Sequence, residues 1–137
     1  MTRREAREQA FCLVFEMDFQ TASMEEIVEQ ARQCRDLDLD DYAAQLAFKV
    51  AGSRQELDEM ITSFSTKWKV ERLSRVSRAL LRMAVAEILQ EDQDVPVSVS
   101  INEAVELAKK YGGDDDAPFV NGVLGAFARS RGQNAAE

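Results

Sequence analysis

The sequence predicts an all-α protein, a single domain of about six to seven helices. Three observations carry this. Apolar residues recur at helical spacing along most of the chain, two Ser/Thr-x-x-Glu capping boxes precede such stretches, and no segment alternates as a strand does. At 137 residues the chain is long enough to bury a sizeable core in one domain.

Thr2-Arg3-Arg4-Glu5 has the first capping-box spacing, so a helix is expected from about residue 3. Ala6, Ala10, Leu13, Val14 and Met17 form its inward arc, and Phe11, Phe15 and Phe19 form a second line close to Arg4 and Arg7. Ser23-x-x-Glu26 opens a short helix to about Gln33, followed by a polar connection from Arg35 to Asp40. Residues 41–65 form one long helix in this reading, with Tyr42, Leu46, Val50, Leu57, Ile61 and Phe64 inward and Gly52 as a weak point. Trp68 is expected to anchor the core beside a hinge.

The next helix is expected from Leu73 to Gln90. Leu73, Val76, Leu80, Met83, Ala84 and Ile88 face inward, and Arg75, Arg78 and Arg82 stripe the opposite side. The acidic stretch before Pro96 ends it, because a residue preceding proline disfavours helix. A helix from about Ser98 to Tyr111 buries Ile101, Ala104, Val105, Leu107 and Ala108, and Gly112-Gly113 stops it. Asp116 caps the last helix, Pro118 is tolerated in its first turn, and the helix runs to about Arg129 before a fraying tail, 132–137.

Hydrophobic residues at 45% and charged ones at 31% describe a soluble globular chain. No apolar run approaches the ~18 residues of a membrane span, and the charged N-terminus lacks a signal-peptide core, so the expected location is cytoplasmic. Two cysteines without Cys-x-x-Cys spacing, and no histidine, argue against a zinc site and a histidine-based triad. The acidic run Asp114-Asp115-Asp116 lacks the glycine and terminal glutamate of an EF-hand loop, and helix capping explains it without a metal. Neither a catalytic residue nor a cofactor is assigned.

A net charge of −8 disfavours nucleic-acid binding by bulk charge alone, but the distribution is uneven. Residues 25–41 hold seven acids against two arginines, whereas Lys67 to Arg82 holds six bases against Glu71. Arg3, Arg4 and Arg7 beside Phe11 and Phe15 combine cations for phosphates with aromatic faces for unpaired bases. The Arg75, Arg78, Arg82 stripe reads first as a solvated face. Glu87, inside an apolar arc, reads as a structural carboxylate bonded to an arginine or a backbone amide. Asn102 and Asn121, at corresponding places in neighbouring helices, read as scaffold that satisfies backbone groups at helix ends.

Together these segments resemble the NusB family. Ile101-Asn102-Glu103-Ala104-Val105-Glu106-Leu107-Ala108-Lys109 and Phe119-Val120-Asn121-Gly122-Val123-Leu124 carry the resemblance. Leu80-Leu81-Arg82-Met83-Ala84 with Glu87, and the start Arg3-Arg4-Glu5-Ala6-Arg7-Glu8, extend it over nearly the whole chain. It implies two packed helical subdomains, about 1–65 and about 66–131. It also implies a non-enzymatic role in transcription antitermination. Such proteins bind the single-stranded boxA element of ribosomal RNA leader transcripts together with the small ribosomal protein also called NusE, and join other Nus factors on RNA polymerase.

By position, the resemblance assigns RNA binding to Arg3, Arg4, Arg7 and Phe15, and partner contact to Glu71, Asp114, Asp115 and Phe119. The chain departs from the family where Glu5 and Glu8 interrupt the arginines, where Phe15 replaces a frequent tyrosine, and where Lys49 replaces a frequent glycine. A homodimer covering the arginine face is compatible with the pattern. Two other readings remain open: a helical adaptor that binds protein without RNA, and an accessory domain related to those preceding some ribosomal RNA methyltransferases, although no Gly-rich cofactor motif follows here.

Overall fold

The computed structural model describes residues 2–19, 21–34, 38–65, 72–90 and 95–132. Seven helices and no strand occur among them. They are α1 (Arg3–Met17), α2 (Met24–Cys34), α3 (Asp41–Gly52), α4 (Arg54–Phe64), α5 (Arg75–Ile88), α6 (Val97–Tyr111) and α7 (Asp116–Ser130). Trp68, Glu71 and the tail beyond Gly132 lie outside the described residues.

Both capping boxes form. Thr2 Oγ1 accepts from the Glu5 amide at 3.1 Å, and Ser23 Oγ accepts from the Glu26 amide at 3.2 Å. Asp40 caps α3 by accepting from the Tyr42 amide at 2.8 Å. Each such bond satisfies a donor that the first helical turn leaves unpaired.

The single helix expected over 41–65 is two. Ser53 leaves the helical region at φ −119° and ψ 20°. Its amide still closes α3 on Lys49 O at 3.1 Å, while its carbonyl accepts from the Leu57 amide at 2.9 Å and opens α4. One residue therefore ends one helix and starts the next, and apolar periodicity continues through the break. α4 packs against α5 and α7, with Phe64 edge-on to Phe127 at 5.8 Å.

α5 is the hub. It packs against α1, α3, α4, α6 and α7, and every residue from Ala79 to Glu87 is buried. A helix covered all round is normally apolar all round. This one carries Arg82 at 2% exposure and Glu87 at 3%, so both charges need partners. Arg82 finds Asp58 on α4, with Nε and Nη2 bonded to its two oxygens at 2.7 and 2.9 Å. Its Nη1 donates to Asp18 Oδ1 at 2.9 Å. Burial works against the charge of Arg82, but the bonds to Asp58 and Asp18 prevail and its pKa is raised. Asp18 sits at the C-terminus of α1, where the helix dipole disfavours an anion, so Arg82, with Arg54 at 3.4 Å and Arg78 at 3.8 Å, offsets an unfavourable placement.

The solvated arginine stripe expected on α5 is thereby corrected. Arg75 is exposed, Arg78 is half-buried and Arg82 is interior, because helices cover α5 on all sides.

α5 and α7 are joined at their starts. Ser74 and Ser77 hydroxyls each donate to Asp116 Oδ1 at 2.5 Å, and the Gly113 amide donates to Asp116 Oδ2 at 2.8 Å. Asp116 is the first residue of α7 rather than its cap. The turn needs Gly112, since a Cβ there would lie 2.8 Å from the Ala108 carbonyl and 2.9 Å from Asp116 Cβ.

Arg82→Met should lower unfolding free energy by about 3–5 kcal/mol, because it strips the buried Asp18 carboxylate of its main cation. A reduced urea midpoint at unchanged slope would show this. Asp116 supplies a pH test. Burial raises its pKa, but the Ser74, Ser77 and Gly113 bonds outweigh burial and hold it below the ordinary aspartate value. A depressed folded pKa stabilises above the unfolded value, and that stability is lost as pH falls through the folded one. Asp116→Asn should therefore be less stable than wild type at pH 7, with the gap closing below about pH 4 in paired urea titrations.

Candidate nucleic-acid interface

Seven residues before the fully buried Val14, Arg7 occupies the same stripe of α1. Its side chain is 4% exposed, and Nε donates to both Glu87 oxygens at 2.9 Å. Glu87 also accepts from the Tyr42 hydroxyl and from Ser100 Oγ at 2.7 Å. Four helices, α1, α3, α5 and α6, thus meet on one carboxylate. Burial and the bond to Glu87 raise the Tyr42 hydroxyl pKa well above its ordinary value. Arg7 is therefore an anchor beneath the surface rather than part of it.

Arg3 and Arg4 remain outside. The Arg3 guanidinium lies 3.7 Å from the centroid of the Tyr42 ring, so Tyr42 joins the exposed cation to the buried pair. Arg4 reaches α6, with Nε to Glu103 Oε1 at 2.8 Å and Nη2 to Oε2 at 2.9 Å. That hydrogen bond and the charge of Glu103 raise the pKa of Arg4. One turn along, Glu8 accepts from Lys110 Nζ at 2.6 Å and from the Tyr111 hydroxyl. These bonds hold the Glu8 carboxyl below its ordinary range and push the Tyr111 hydroxyl up. A hollow of about 260 Å³ lies between Arg4, Arg7, Glu8, Glu103, Glu106, Leu107 and Lys110.

From this hollow an aromatic edge runs along α1. Tyr111 lies 5.0 Å from Phe11, Phe11 lies 5.7 Å from Phe15, and Phe15 lies 4.9 Å from Phe19. Phe11 is core, Phe15 is half-buried, and the ends are open, Tyr111 at 41% and Phe19 at 53% exposure. A cation sits at each end: Lys110 Nζ is 5.4 Å from the Tyr111 ring and the Arg75 guanidinium 4.2 Å from Phe19. Exposed rings flanked by cations are the elements that hold unpaired bases and their phosphates.

Asp114 and Asp115 are exposed and Phe119 is half-buried. Asp115 and Phe119 line a cavity of about 220 Å³ with Arg72, Leu73, Ser74, Ser77 and Asp116. This loop follows Tyr111 directly, so it adjoins the aromatic edge at the C-terminus of α6. Asp114 lies in a separate groove of about 540 Å³, together with Asn121, between α6 and α7. Asn102 and Asn121 are each the sixth residue of their helix, and both are exposed. Asn121 shares its groove with Gly112 and Gly113, where α6 ends. Glu71 falls outside the described residues.

Sequence reasoning missed Glu103, Lys110 and Tyr111 as parts of this edge. Arg4 and Glu103 are 99 positions apart, so no local spacing marks their pair. The run Lys109-Lys110-Tyr111 was the available signal, two cations and a ring at a helix end. Among the described residues no cluster of acids and cysteines can hold a metal ion, and no helix is long and apolar enough to cross a membrane.

Comparisons with known proteins agree with this architecture. The family model for the NusB family matches residues 4–129. The transcription antitermination protein NusB of Bacillus velezensis is 42% identical over 124 residues, covering 90% of this chain and 93% of that protein. Its Bacillus subtilis counterpart is 41% identical over 124 residues, covering 90% and 92%. Among solved structures, T. maritima NusB aligns with a TM-score of 0.83 at 33% identity, over 94% of this chain and 92% of that one. A chain from the crystal structure of antitermination factors NusB and NusE in complex with dsRNA aligns with a TM-score of 0.82 at 27% identity, covering 93% and 96%. On the family match and these identities, the chain belongs to the NusB family.

Proposed function

We propose that this protein is a non-enzymatic, cytoplasmic transcription antitermination factor that binds boxA-type RNA as a heterodimer with the ribosomal protein NusE. The observation that carries the reading is the edge of α1, where exposed Arg3 and Arg4 adjoin a file of aromatic rings with open ends. A similar chain crystallised with NusE and RNA supports it. Arg3 and Arg4 contact phosphates, Phe15 and its neighbouring rings offer faces to bases, and Arg7 holds α1 in place from below. The loop with Asp114 and Asp115, together with Phe119 and Glu71, contacts the protein partner. The complex then joins other Nus factors on RNA polymerase. We place the subdomain boundary between α4 and α5. A homodimer covering the arginine face fits the same surface.

A chain of net charge −8 repels RNA at long range, so its affinity depends on a composite surface completed by a basic partner. Gel shifts with boxA RNA should show weak binding alone and tighter, sequence-selective binding with NusE. Equal weak binding to boxA and scrambled RNA in both conditions would contradict the proposal. Arg4→Gln should weaken the complex and reduce its log–log salt slope by about 0.7, the value for one single-strand phosphate contact. An adaptor without RNA contact would show neither change.

A further inference from the structure

We infer that Glu103 is an intramolecular competitor for RNA phosphates, occupying Arg4 in the free protein and so holding the affinity of the surface for RNA down. The inference rests on the RNA-binding reading of the Arg3–Arg4 edge and names the residue that tunes it. Arg4 grips Glu103 through Nε and Nη2, one to each oxygen, which is the fork it would present to a phosphate. The exposures of the two partners are opposite. The Arg4 side chain is 72% exposed and that of Glu103 only 9%. An incoming anion can therefore reach the cation, whereas the carboxylate has nowhere to go.

If a phosphate takes Arg4, Glu103 keeps only Arg7 Nη1 at 3.8 Å, beyond hydrogen-bond reach, and Arg7 is already committed to Glu87. A mostly buried carboxylate left without its bonds opposes the exchange. A chance phosphate on any RNA gains too little to offset that cost. An RNA whose bases also occupy the aromatic edge gains more. Long-range attraction is suppressed as well, because Arg4, Arg7 and Lys110 around the hollow face Glu8, Glu103 and Glu106 in equal number. Glu103 thus lowers affinity for every RNA: one that takes Arg4 pays for the broken pair, and one that offers phosphates alone forgoes the contact and stays weak.

Glu103→Gln in the full chain tests this by fluorescence anisotropy with labelled boxA RNA and a scrambled RNA of equal length, over a salt series, with and without NusE. Scrambled RNA should bind roughly two- to five-fold more tightly, the range of a partly exposed ion pair. Its salt slope should steepen by about 0.7 as Arg4 becomes a phosphate contact, whereas boxA, which takes Arg4 in either protein, should tighten at least as much at an unchanged slope. Adding Arg4→Gln to the same chain should remove the gain. If wild type shows no boxA preference under any condition, the RNA-binding reading itself fails. If wild type prefers boxA but Glu103→Gln leaves affinities and slope unchanged, or weakens them, the competitor role is overturned and the RNA-binding reading stands. Should the variant melt early, the wild-type Arg4 Nε–H resonance gives a second readout. It should shift at RNA saturation while that of Arg7 stays, and an unmoved Arg4 signal overturns the inference.

Discussion

The pair between Arg7 and Glu87 sets the terms for the rest of the molecule. It lies where α1, α3, α5 and α6 converge, and Glu87 is satisfied only when all four are in place. Hydrophobic packing of Phe11, Leu13 and Val14 holds α1 on the core, but it makes no demand on which polar groups meet at the join. A charge buried at 3% exposure is not interchangeable. Losing one partner of such a pair costs about 3–5 kcal/mol, although the intact pair can contribute little net stability over an apolar substitute. Its value in this fold is register. It fixes which face of α1 looks outward, and hence where Arg3, Arg4 and Phe15 stand.

Arg82 does the same work near the middle of α5, drawing Asp18 and Asp58 onto the hub. The two buried charges have opposite sign and each recruits α1, one near its start and one just past its end. α1 is thus held at both ends by ions and along its length by Ala6, Ala10, Leu13 and Val14. A rigid helix with a defined outward face suits a surface that must present cations and rings at fixed spacing. Two of the cations that remain outside, Arg4 and Lys110, are paired with Glu103 and Glu8, whereas Arg3 and Arg75 lie against the Tyr42 and Phe19 rings.

The helices were legible because helix signals are local. Capping boxes, Gly112 and Pro96 act within a few residues of themselves, and apolar periodicity marks the buried faces. The break at Ser53 was marked only by the neighbouring Gly52, which reads as a weak point rather than an end because the apolar ladder runs on through it. The interior places of Arg7 and Arg82 were hidden for a different reason. Whether an arginine on a helix is buried depends on a carboxylate supplied from elsewhere, 80 positions away for Arg7 and 64 for Arg82 and Asp18. Glu103 and Tyr111 belong to the same class of long-range pairing. Motif resemblance pointed to the arginines of α1, but it could not say which of them faces water.

The central claim is that Arg7 acts through Glu87 as an internal tie. A double-mutant cycle with Arg7→Met, Glu87→Gln and the double variant, measured by urea unfolding, tests it most directly. The account predicts two strongly destabilised single variants and a double variant less destabilised than their sum, with a coupling energy above ~1 kcal/mol. Additive effects within ~0.5 kcal/mol, or a stable Arg7→Met variant that only loses RNA affinity, would contradict it and return Arg7 to the surface.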